Sequence, residues 1–257
     1  MTAALTDWLP FVAGLAVLAL ATVGVAAWAG VGLGWLPVRS LLRAGVQLTA
    51  VALLLAGVLA NPWTVVAFVA LMLSTASWTS AGRLRALHHG RRTAAAGVLA
   101  GATVAVGSVL VLSPVTGLVP HGVRYVIAVA GILVGNAMTA ATLSGRSFLR
   151  AARVRAAEVE GWLAMGATPS QAHAAIGRES VRESLLPTLD QTRATGLVTL
   201  PGAFVGALFG GASPADAARF QLVVLAGIAL TAVVTAVVVT RLAGRSPLLV
   251  PVEPSAG

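Results

Sequence analysis

Runs of about 20 apolar residues recur along this chain, and a helix of that length can cross the hydrocarbon core of a bilayer. Seven runs are recognised, at residues 9–29, 41–60, 63–81, 93–112, 123–143, 194–209 and 220–240. The sixth is the shortest and contains Pro201. Of the 257 residues, 58% are hydrophobic and 10% are charged, against about 45–50% and 25% in soluble domains. The sequence therefore predicts an all-α, polytopic membrane protein with seven transmembrane helices in one transmembrane domain, residues 1–257.

The basic residues predict the orientation of these spans. All 17 are Arg, and with the N-terminus outside 15 of them fall on the cytoplasmic side and two, Arg124 and Arg219, outside. Positive charge accumulates on the cytoplasmic side of membrane proteins. We therefore expect the N-terminus outside and the C-terminus in the cytoplasm, and we read the net charge of +9 as a topology signal rather than nucleic-acid binding. The first Arg is Arg39, which argues against a cleaved signal peptide.

The residues that are missing exclude several activities. Without Lys the chain cannot form a P-loop or a retinal Schiff base, and without Cys it has no thiolate nucleophile or cysteine-ligated metal. The middle of each predicted span lacks Asp, Glu and His, which disfavours an ion-coupled carrier and an intramembrane protease. His88 and His89 could bind a metal or form an ordinary solvated loop pair. The chain is not expected to be an enzyme.

The only large polar segment, residues 145–193, lies between the fifth and sixth predicted spans. Residues 124–167 contain no Pro, so we expect the fifth helix to continue well past Arg155. Gly166 suits the residue after a helix end, and Thr168, Pro169 and Gln171 form a capping-box start for a second helix to about residue 185. The prediction is a cytoplasmic helical elbow whose acidic residues face a partner: Glu158, Glu160, Glu179 and Glu183. Arg178 and Arg182 could contact that partner or pair with Glu179 and Glu183.

Short motifs in this half of the chain resemble a known family. Glu160, Gly166 and Ile176 have the spacing of the cytoplasmic coupling loop of ABC-transporter permeases, although Gly161-Trp162 replaces Ala-Ala and Leu186-Pro187 comes later. Four further segments resemble motifs of FetB-type (YbbM-like) permeases and occur in the same order: 135–139, 186–190, 196–202 and 214–221. These are membrane subunits of iron-export ABC transporters.

The resemblance implies a permease subunit driven by a separate ABC ATPase, which would hold the ATP and Mg, while this chain binds no cofactor. It implies a homodimer in the bacterial cytoplasmic membrane and export linked to iron or other metal homeostasis. The residues expected to couple to the ATPase are Glu158, Glu160, Gly166, Ala167, Thr168, Pro169, Ile176, Leu186 and Pro187. The alternatives are a non-transporting scaffold or regulatory subunit that docks a soluble partner through the elbow, and an uncoupled channel.

Amide, hydroxyl and thioether side chains in the predicted spans could line a translocation path or form interhelical contacts. They are Gln47, Thr75, Asn136, Met138, Thr139, Thr142 and Thr199. No chelating site for a bare transition metal accompanies them, so a complexed metal or another solute fits this lining as well. Small-residue repeats predict close helix packing. In the sixth span, Pro201, Gly202, Gly206 and Gly210 could pack within the subunit or across a dimer.

Overall fold

The computed structural model describes residues 2–58, 62–87, 89–117 and 122–246. The chain divides into two compact units, Met1–Asn61 and Pro62–Gly257. The regular structure within the described ranges is helical, apart from an isolated bridge between Thr195 and Thr199. The all-α prediction is therefore confirmed. Five helices among the described residues are long and apolar enough to cross a membrane; the seven spans and their orientation stay predictions.

The first unit contains α1 (Thr2–Trp28) and α2 (Leu36–Val58), which pack against each other. The chain reverses between them through Gly30 and Gly34, whose positive φ values of 68° and 51° suit residues without a Cβ. Helix α1 supplies one of the five candidate spans, and α2, which contains Arg39 and Arg43, is not among them.

The second unit contains eight helices among its described residues. They are α3 (Pro62–Arg83), α4 (Gly90–Thr116), α5 (Val123–Val154), α6 (Ala156–Ala164), α7 (Pro169–Ala172), α8 (Ala174–Ala194), α9 (Gly202–Phe209) and α10 (Pro214–Ala243). Helix α10 is central, since it packs against α4, α5, α8 and α9. Its start is capped by Ser213, whose Oγ accepts a hydrogen bond from the Asp216 N–H at 3.2 Å.

Two glycines let α4 approach α10 closely. A Cβ added at Gly97 would lie 2.4 Å from Cγ2 of Val239, and one at Gly101 would lie 1.8 Å from Oγ1 of Thr235. Such distances leave room only for hydrogen, so Gly97 and Gly101 allow the close packing of α4 on α10 within the chain.

Two predicted elements are wrong in their extent. Helix α5 ends at Val154, because Arg155 leaves helical geometry before α6 begins. The predicted sixth span, residues 194–209, is not one helix: α8 ends at Ala194, Gly196 has a φ of 96°, and α9 has only eight residues. Eight helical residues rise about 12 Å, well below the roughly 30 Å of a bilayer core.

The course of α8 differs from that of the second helix predicted for the cytoplasmic elbow. Its beginning lies beside the end of α10, where a Cβ on Gly177 would be 3.7 Å from the Thr240 side chain. Beyond its end, the Phe204 N–H of α9 donates to Oε1 of Gln221 near the start of α10, at 3.2 Å. Helix α8 therefore runs antiparallel to α10, and it ends at Ala194 rather than at about residue 185.

Candidate functional site

One guanidinium joins three helices at the elbow, which we define as residues 155–173. The Nε and Nη2 atoms of Arg155 donate to both carboxylate oxygens of Glu158 on α6, at 2.7 and 2.8 Å. Its Nη1 donates to Oε2 of Glu179 on α8 at 3.0 Å. A bidentate pair fixes direction as well as distance. Arg155 thus ties α6 and α8 to the end of α5, and we call Arg155, Glu158 and Glu179 together the Arg155 clamp.

The Arg155 clamp shifts the protonation of its own members. The hydrogen bonds from Arg155 hold the pKa of Glu158 below its usual range, and a hydrogen bond from the Trp162 side chain acts in the same direction. In return, the hydrogen bonds to Glu158 raise the pKa of Arg155. Both groups are therefore charged at neutral pH, as the clamp requires.

Apolar packing holds the elbow against α5 beneath the clamp. Val159 of α6, Ala172 of α7 and Ile176 of α8 are buried in one hydrophobic cluster together with Phe148 of α5. The ring of Phe148 also lies 5.6 Å from the ring of the buried His173, centroid to centroid. Because both elbow helices and the first turn of α8 contribute to the cluster, the elbow is part of the folded core rather than an independent appendage.

A second polar contact ties α5 to α8. The Ser147 hydroxyl donates to Oε2 of Glu183. Glu179 and Glu183 therefore both have partners on the α5 side, and neither Arg178 nor Arg182 forms an ion pair with a described carboxylate. The pairing of these arginines with Glu179 and Glu183, left open by the sequence, does not occur in this structure.

The turn inside the elbow forms as its sequence predicts. Gly166 has a φ of 90°, and the N–H groups of Gly166 and Ala167 donate to the carbonyls of Leu163 and Trp162, each at 3.0 Å. This pattern is a Schellman end. Thr168 then caps α7: its N–H donates to Oε1 of Gln171 at 2.8 Å, and its side chain accepts from the Gln171 N–H. Pro169 is the first helical residue.

The tip of the elbow exposes large apolar side chains. Trp162 is 48% exposed and Met165 is 73% exposed, and they flank the end of α6 next to the exposed Glu160. Sequence reasoning treated Trp162 only as a departure from a motif and missed both. Two large apolar residues on a short helix beside Glu158 and Glu160 were the available signal. Aromatic and Met side chains are enriched where proteins bind partners.

The predicted coupling residues do not form one surface. Glu160, Gly166 and Thr168 are exposed at the tip, whereas Ile176 is buried and can act only by supporting the elbow. Leu186 and Pro187 lie farther along α8, about 15 Å beyond Ile176 by helix rise. Pro187 is inside the helix and not at its end.

The predicted path residues satisfy their donors within their own helices. On α5, Nδ2 of Asn136 donates to the Ile132 carbonyl at 2.8 Å, and the Thr139 and Thr142 hydroxyls donate to the carbonyls four residues earlier at 3.2 and 2.9 Å. On α3 the Thr75 hydroxyl donates to the Met72 carbonyl, three residues earlier, at 3.0 Å. The donors therefore form none of the interhelical hydrogen bonds that the sequence left as an alternative.

The remaining path residues are dispersed. Met138 packs against the hydrophobic cluster that holds the elbow, and Thr199 lies in the turn before α9. Gln47 is on α2, in the first unit. On α5 lie Asn136, Met138, Thr139 and Thr142, of which Thr139 is exposed and Thr142 is buried.

Sequence reasoning missed the role of Gln221. Its side chain is buried on α10, and Oε1 accepts the otherwise unpaired Phe204 N–H in the first turn of α9. It also missed four buried hydroxyls that lack a hydrogen-bond partner among the described residues: Ser77, Ser80, Thr231 and Thr235. The Thr235 hydroxyl is the group that faces Gly101.

The glycine repeat of α9 has an open face. A Cβ at Gly202 or Gly206 would meet no described atom within 4 Å, and one at Gly210 would meet only the turn of α9 before it. Pro201 precedes the helix as its N-cap. On its other side, α9 packs through Ala203 and Ala207 against a cluster that includes Phe220. The repeat is therefore unoccupied within the described part of the chain.

Within the described ranges, no group of three His, Cys, Asp or Glu side chains is arranged to hold a metal ion. His89 is exposed, and His88, its predicted companion, lies outside the described residues.

Apolar helices long enough to cross a bilayer, together with a rigid elbow, define a multi-pass helical membrane protein. The chain belongs to the family described as Uncharacterised protein family (UPF0014), whose model matches residues 10–247. The predicted resemblance to FetB-type permeases is confirmed at the level of this family.

Curated relatives from bacteria and plants are similar to this chain. The chain is 31% identical over 229 residues to UPF0014 membrane protein slr1647 of Synechocystis, covering 86% of each protein. It is 33% identical over 143 residues to "Probable iron export permease protein FetB" of Escherichia coli, covering 56% of this chain and 55% of that protein.

The plant relatives are matched over part of their length. Identity to UPF0014 membrane protein STAR2 of Oryza sativa is 37% over 163 residues, covering 63% of this chain and 55% of the rice protein. The chain thus spans little more than half the length of several curated relatives it matches. No solved structure matches the chain.

Proposed function

We propose that this chain is the membrane-spanning permease subunit of an ABC transporter. A separate ATPase subunit, which binds ATP and Mg, docks on the elbow, and the working unit is a homodimer in the bacterial cytoplasmic membrane. The observation that carries the proposal is the elbow itself. Trp162 and Met165 are exposed at a tip that the Arg155 clamp and a buried cluster hold rigidly against α5. A rigid element with an exposed apolar tip can receive force from a soluble motor.

The proposed topology keeps seven crossings with the N-terminus outside. The bias of 15 arginines against two supports it. In this topology the sixth crossing is composite: it follows Arg193 and consists of the turn at 195–201 and α9. Irregular backbone is tolerated at membrane depth where protein surrounds it. Residues 196–200 are exposed in the single chain, so this topology requires the second copy of the proposed homodimer to cover them.

The proposed cargo class is a metal, iron included, moved outward. The relative in Escherichia coli named as a probable iron export permease supports this proposal. The amide and hydroxyl groups of Asn136, Thr139 and Thr142 on α5 suit a complexed metal better than a bare transition ion.

The docking proposal is tested by co-purification with a co-expressed candidate ABC ATPase subunit. We expect the Trp162→Ala/Met165→Ala double variant to reduce the recovered ATPase about tenfold or more, since buried Trp anchors dominate interfaces. Trp78→Ala removes an equally large exposed side chain from α3 and is the matched control. Full recovery with the double variant, or equal loss with Trp78→Ala, would contradict the proposal.

Coupling is tested by ATPase activity in proteoliposomes. Gly166 has a positive φ that a leucine disfavours, so Gly166→Leu should distort the elbow and reduce the activity of the complex. Unchanged activity would favour a scaffold, and solute flux without any ATPase would indicate a channel. Stimulation of the ATPase activity by a metal or a metal chelate would identify the cargo class. If none of them stimulates it, the assignment to iron is wrong, while the proposal of a permease subunit still stands.

The dimer is tested by disulfide crosslinking. The natural sequence has no Cys, so a single introduced thiol gives an unambiguous signal. We expect Gly206→Cys, on the open face of α9, to crosslink two copies at a two-fold axis. Gly107→Cys on α4 has equally open surroundings and should not crosslink. Crosslinking of both variants, or of neither, would contradict a dimer through α9.

A further inference from the structure

A basic cleft of about 550 Å³ lies between the start of α8 and the end of α10. Arg178 lines it from α8, and Arg241 and Arg245 line it from α10 and the residues that follow. Ser170 and His173 complete its polar wall. This cleft is separate from the Arg155 clamp and from the elbow tip, because neither contributes a residue to it.

The cleft has one apolar end and one cationic end. The antiparallel register places Gly177 beside Thr240 and His173 beside Gly244. Val181 and Val237 therefore lie toward the candidate membrane span Pro214–Ala243, and Arg245 lies beyond the end of that span. The surface changes from apolar to cationic in the direction in which α10 leaves its span.

The positive charge of the cleft is not neutralised by the described chain. No carboxylate of the described residues lines it, and within the same ranges Arg178, Arg241 and Arg245 form no ion pair. The nearest acids in sequence are occupied elsewhere, since Glu179 binds Arg155 and Glu183 accepts from Ser147. Three unpaired guanidinium groups around one cavity repel each other unless an anion joins them.

We propose that this cleft binds a phosphate ester. Arg is the side chain that recognises phosphate by paired N–H donors, and Ser170 adds a hydroxyl that can donate to a phosphate oxygen. The apolar end at Val181 and Val237 accommodates the remainder of an ester whose far side is hydrocarbon. An anionic phospholipid entering from the membrane has this polarity, with its phosphate at the arginines and its glycerol and chains toward the valines.

Binding to the purified full-length chain in detergent tests the proposal with three probes at equal ionic strength. Short-chain phosphatidylglycerol carries phosphate and acyl chains, short-chain diacylglycerol lacks the phosphate, and inorganic phosphate lacks the chains. Native mass spectrometry and the shift of the thermal unfolding midpoint report binding. We expect phosphatidylglycerol to bind most tightly and Arg178→Gln/Arg241→Gln to weaken it at least about tenfold.

Matched variants separate a site from general electrostatics. Arg182→Gln removes the same charge from α8 outside the cleft, and it should change the affinity less than about twofold. Arg178→Lys/Arg241→Lys keeps the charge and should lie between the natural chain and the glutamine variant. An unchanged size-exclusion profile shows that the variants are folded.

The other possible binding results each support or contradict the phosphate-site proposal. If inorganic phosphate binds as tightly as phosphatidylglycerol, the phosphate site stands and its source is soluble. If diacylglycerol binds equally well, or Arg182→Gln weakens binding as much as the double variant, the cleft is not a phosphate site. If the double variant retains phosphatidylglycerol but loses a co-purifying ATPase, the arginines bind an acidic protein surface instead. If no phosphate probe binds, they only stabilise the C-terminal end of α10.

Discussion

The hydroxyl oxygen of Thr235 lies directly against the α-carbon of Gly101, so that a Cβ at position 101 would be only 1.8 Å away. The Thr231 carbonyl is also near, at 2.8 Å from the same point. The Thr235 hydroxyl has no hydrogen-bond partner among the described residues. A Cα–H···O contact with Gly101 is the interaction that this geometry offers it.

Gly101→Ala should therefore destabilise the protein, because a side chain at this point forces α4 and α10 apart. Overpacking of this kind costs about 1–3 kcal/mol, which would appear as a lower thermal unfolding midpoint in detergent. Gly107→Ala on the same helix has no described atom within 4 Å of its new Cβ and should be neutral or slightly stabilising. Equal loss of stability in both variants would show that the close packing of α4 on α10 is wrong.

Arg155→Gln should release α6 and α8 from the end of α5, since Glu158 and Glu179 lose their shared partner. We expect faster amide hydrogen exchange across residues 156–173, with the exchange of the α4–α10 core unchanged. Arg150→Gln is the control. Arg150 lies on α5 about one turn before Arg155, is exposed, and forms no ion pair with a described carboxylate. Identical exchange in all three proteins would argue against the clamp.

Acid should weaken the Arg155 clamp. The pKa of Glu158 is lowered in the folded protein, so its carboxylate contributes stability above the ordinary glutamate pKa of about 4.3. That contribution is lost as pH falls through the lowered folded pKa, because protonation then favours the unfolded chain. The unfolding midpoint of the natural protein should approach that of Glu158→Gln on acidification. A difference between the two that is constant with pH would show that Glu158 does not titrate in this way.

Gln221→Leu should loosen α9. Leucine keeps the volume of the side chain but cannot accept the Phe204 N–H, and an unsatisfied buried donor costs about 1–3 kcal/mol. The expected readouts are a lower unfolding midpoint and faster exchange at residues 202–209. Gln191→Leu, at an exposed position on α8, should have little effect on either. Unchanged exchange at α9 would exclude the capping role of Gln221.

Pro187 is expected to make α8 deformable at one point. It lies inside the helix and cannot donate to the Glu183 carbonyl. Pro187→Ala should therefore stabilise α8 by up to about 3 kcal/mol, and, if bending there serves transport, reduce substrate-stimulated ATPase activity of the complex. A stabilised variant with full stimulation would show that α8 works as a straight rod.

The elbow shows which features local sequence can predict. Gly166, Thr168, Pro169 and Gln171 were predicted correctly, because a helix end and a capping box depend on neighbouring residues. The break at Arg155 was not predicted. Arg155 pairs there with Glu158 and also with Glu179, and the second contact, 24 residues farther along the chain, is not a local feature of the sequence. The course of α8 was missed for a related reason: its polar composition suggests an extramembrane helix, whereas its packed face includes the small residues Ser180 and Ser184.

The candidate coupling residues also divide into those whose position follows from local sequence and those whose position depends on the rest of the fold. Exposure of Glu160 at the tip follows from its charge, but the burial of Ile176 depends on the fold of α5 over the elbow. Trp162 and Met165 were missed because large apolar residues are usually assigned to a core. Gln221 lies in the segment 214–221 that resembles the family, but its role as acceptor of the Phe204 N–H depends on where α9 lies.

The antiparallel course of α8 along α10 has a mechanical consequence. At one end α8 is held to the elbow by Glu179 and lies beside Thr240; beyond its other end the chain is held at Gln221. A helix of 21 residues is a rod roughly 30 Å long. A small tilt of the elbow would therefore reach α9 along α8 only to the extent that the helix does not bend at Pro187, so this one residue sets how far elbow motion is transmitted.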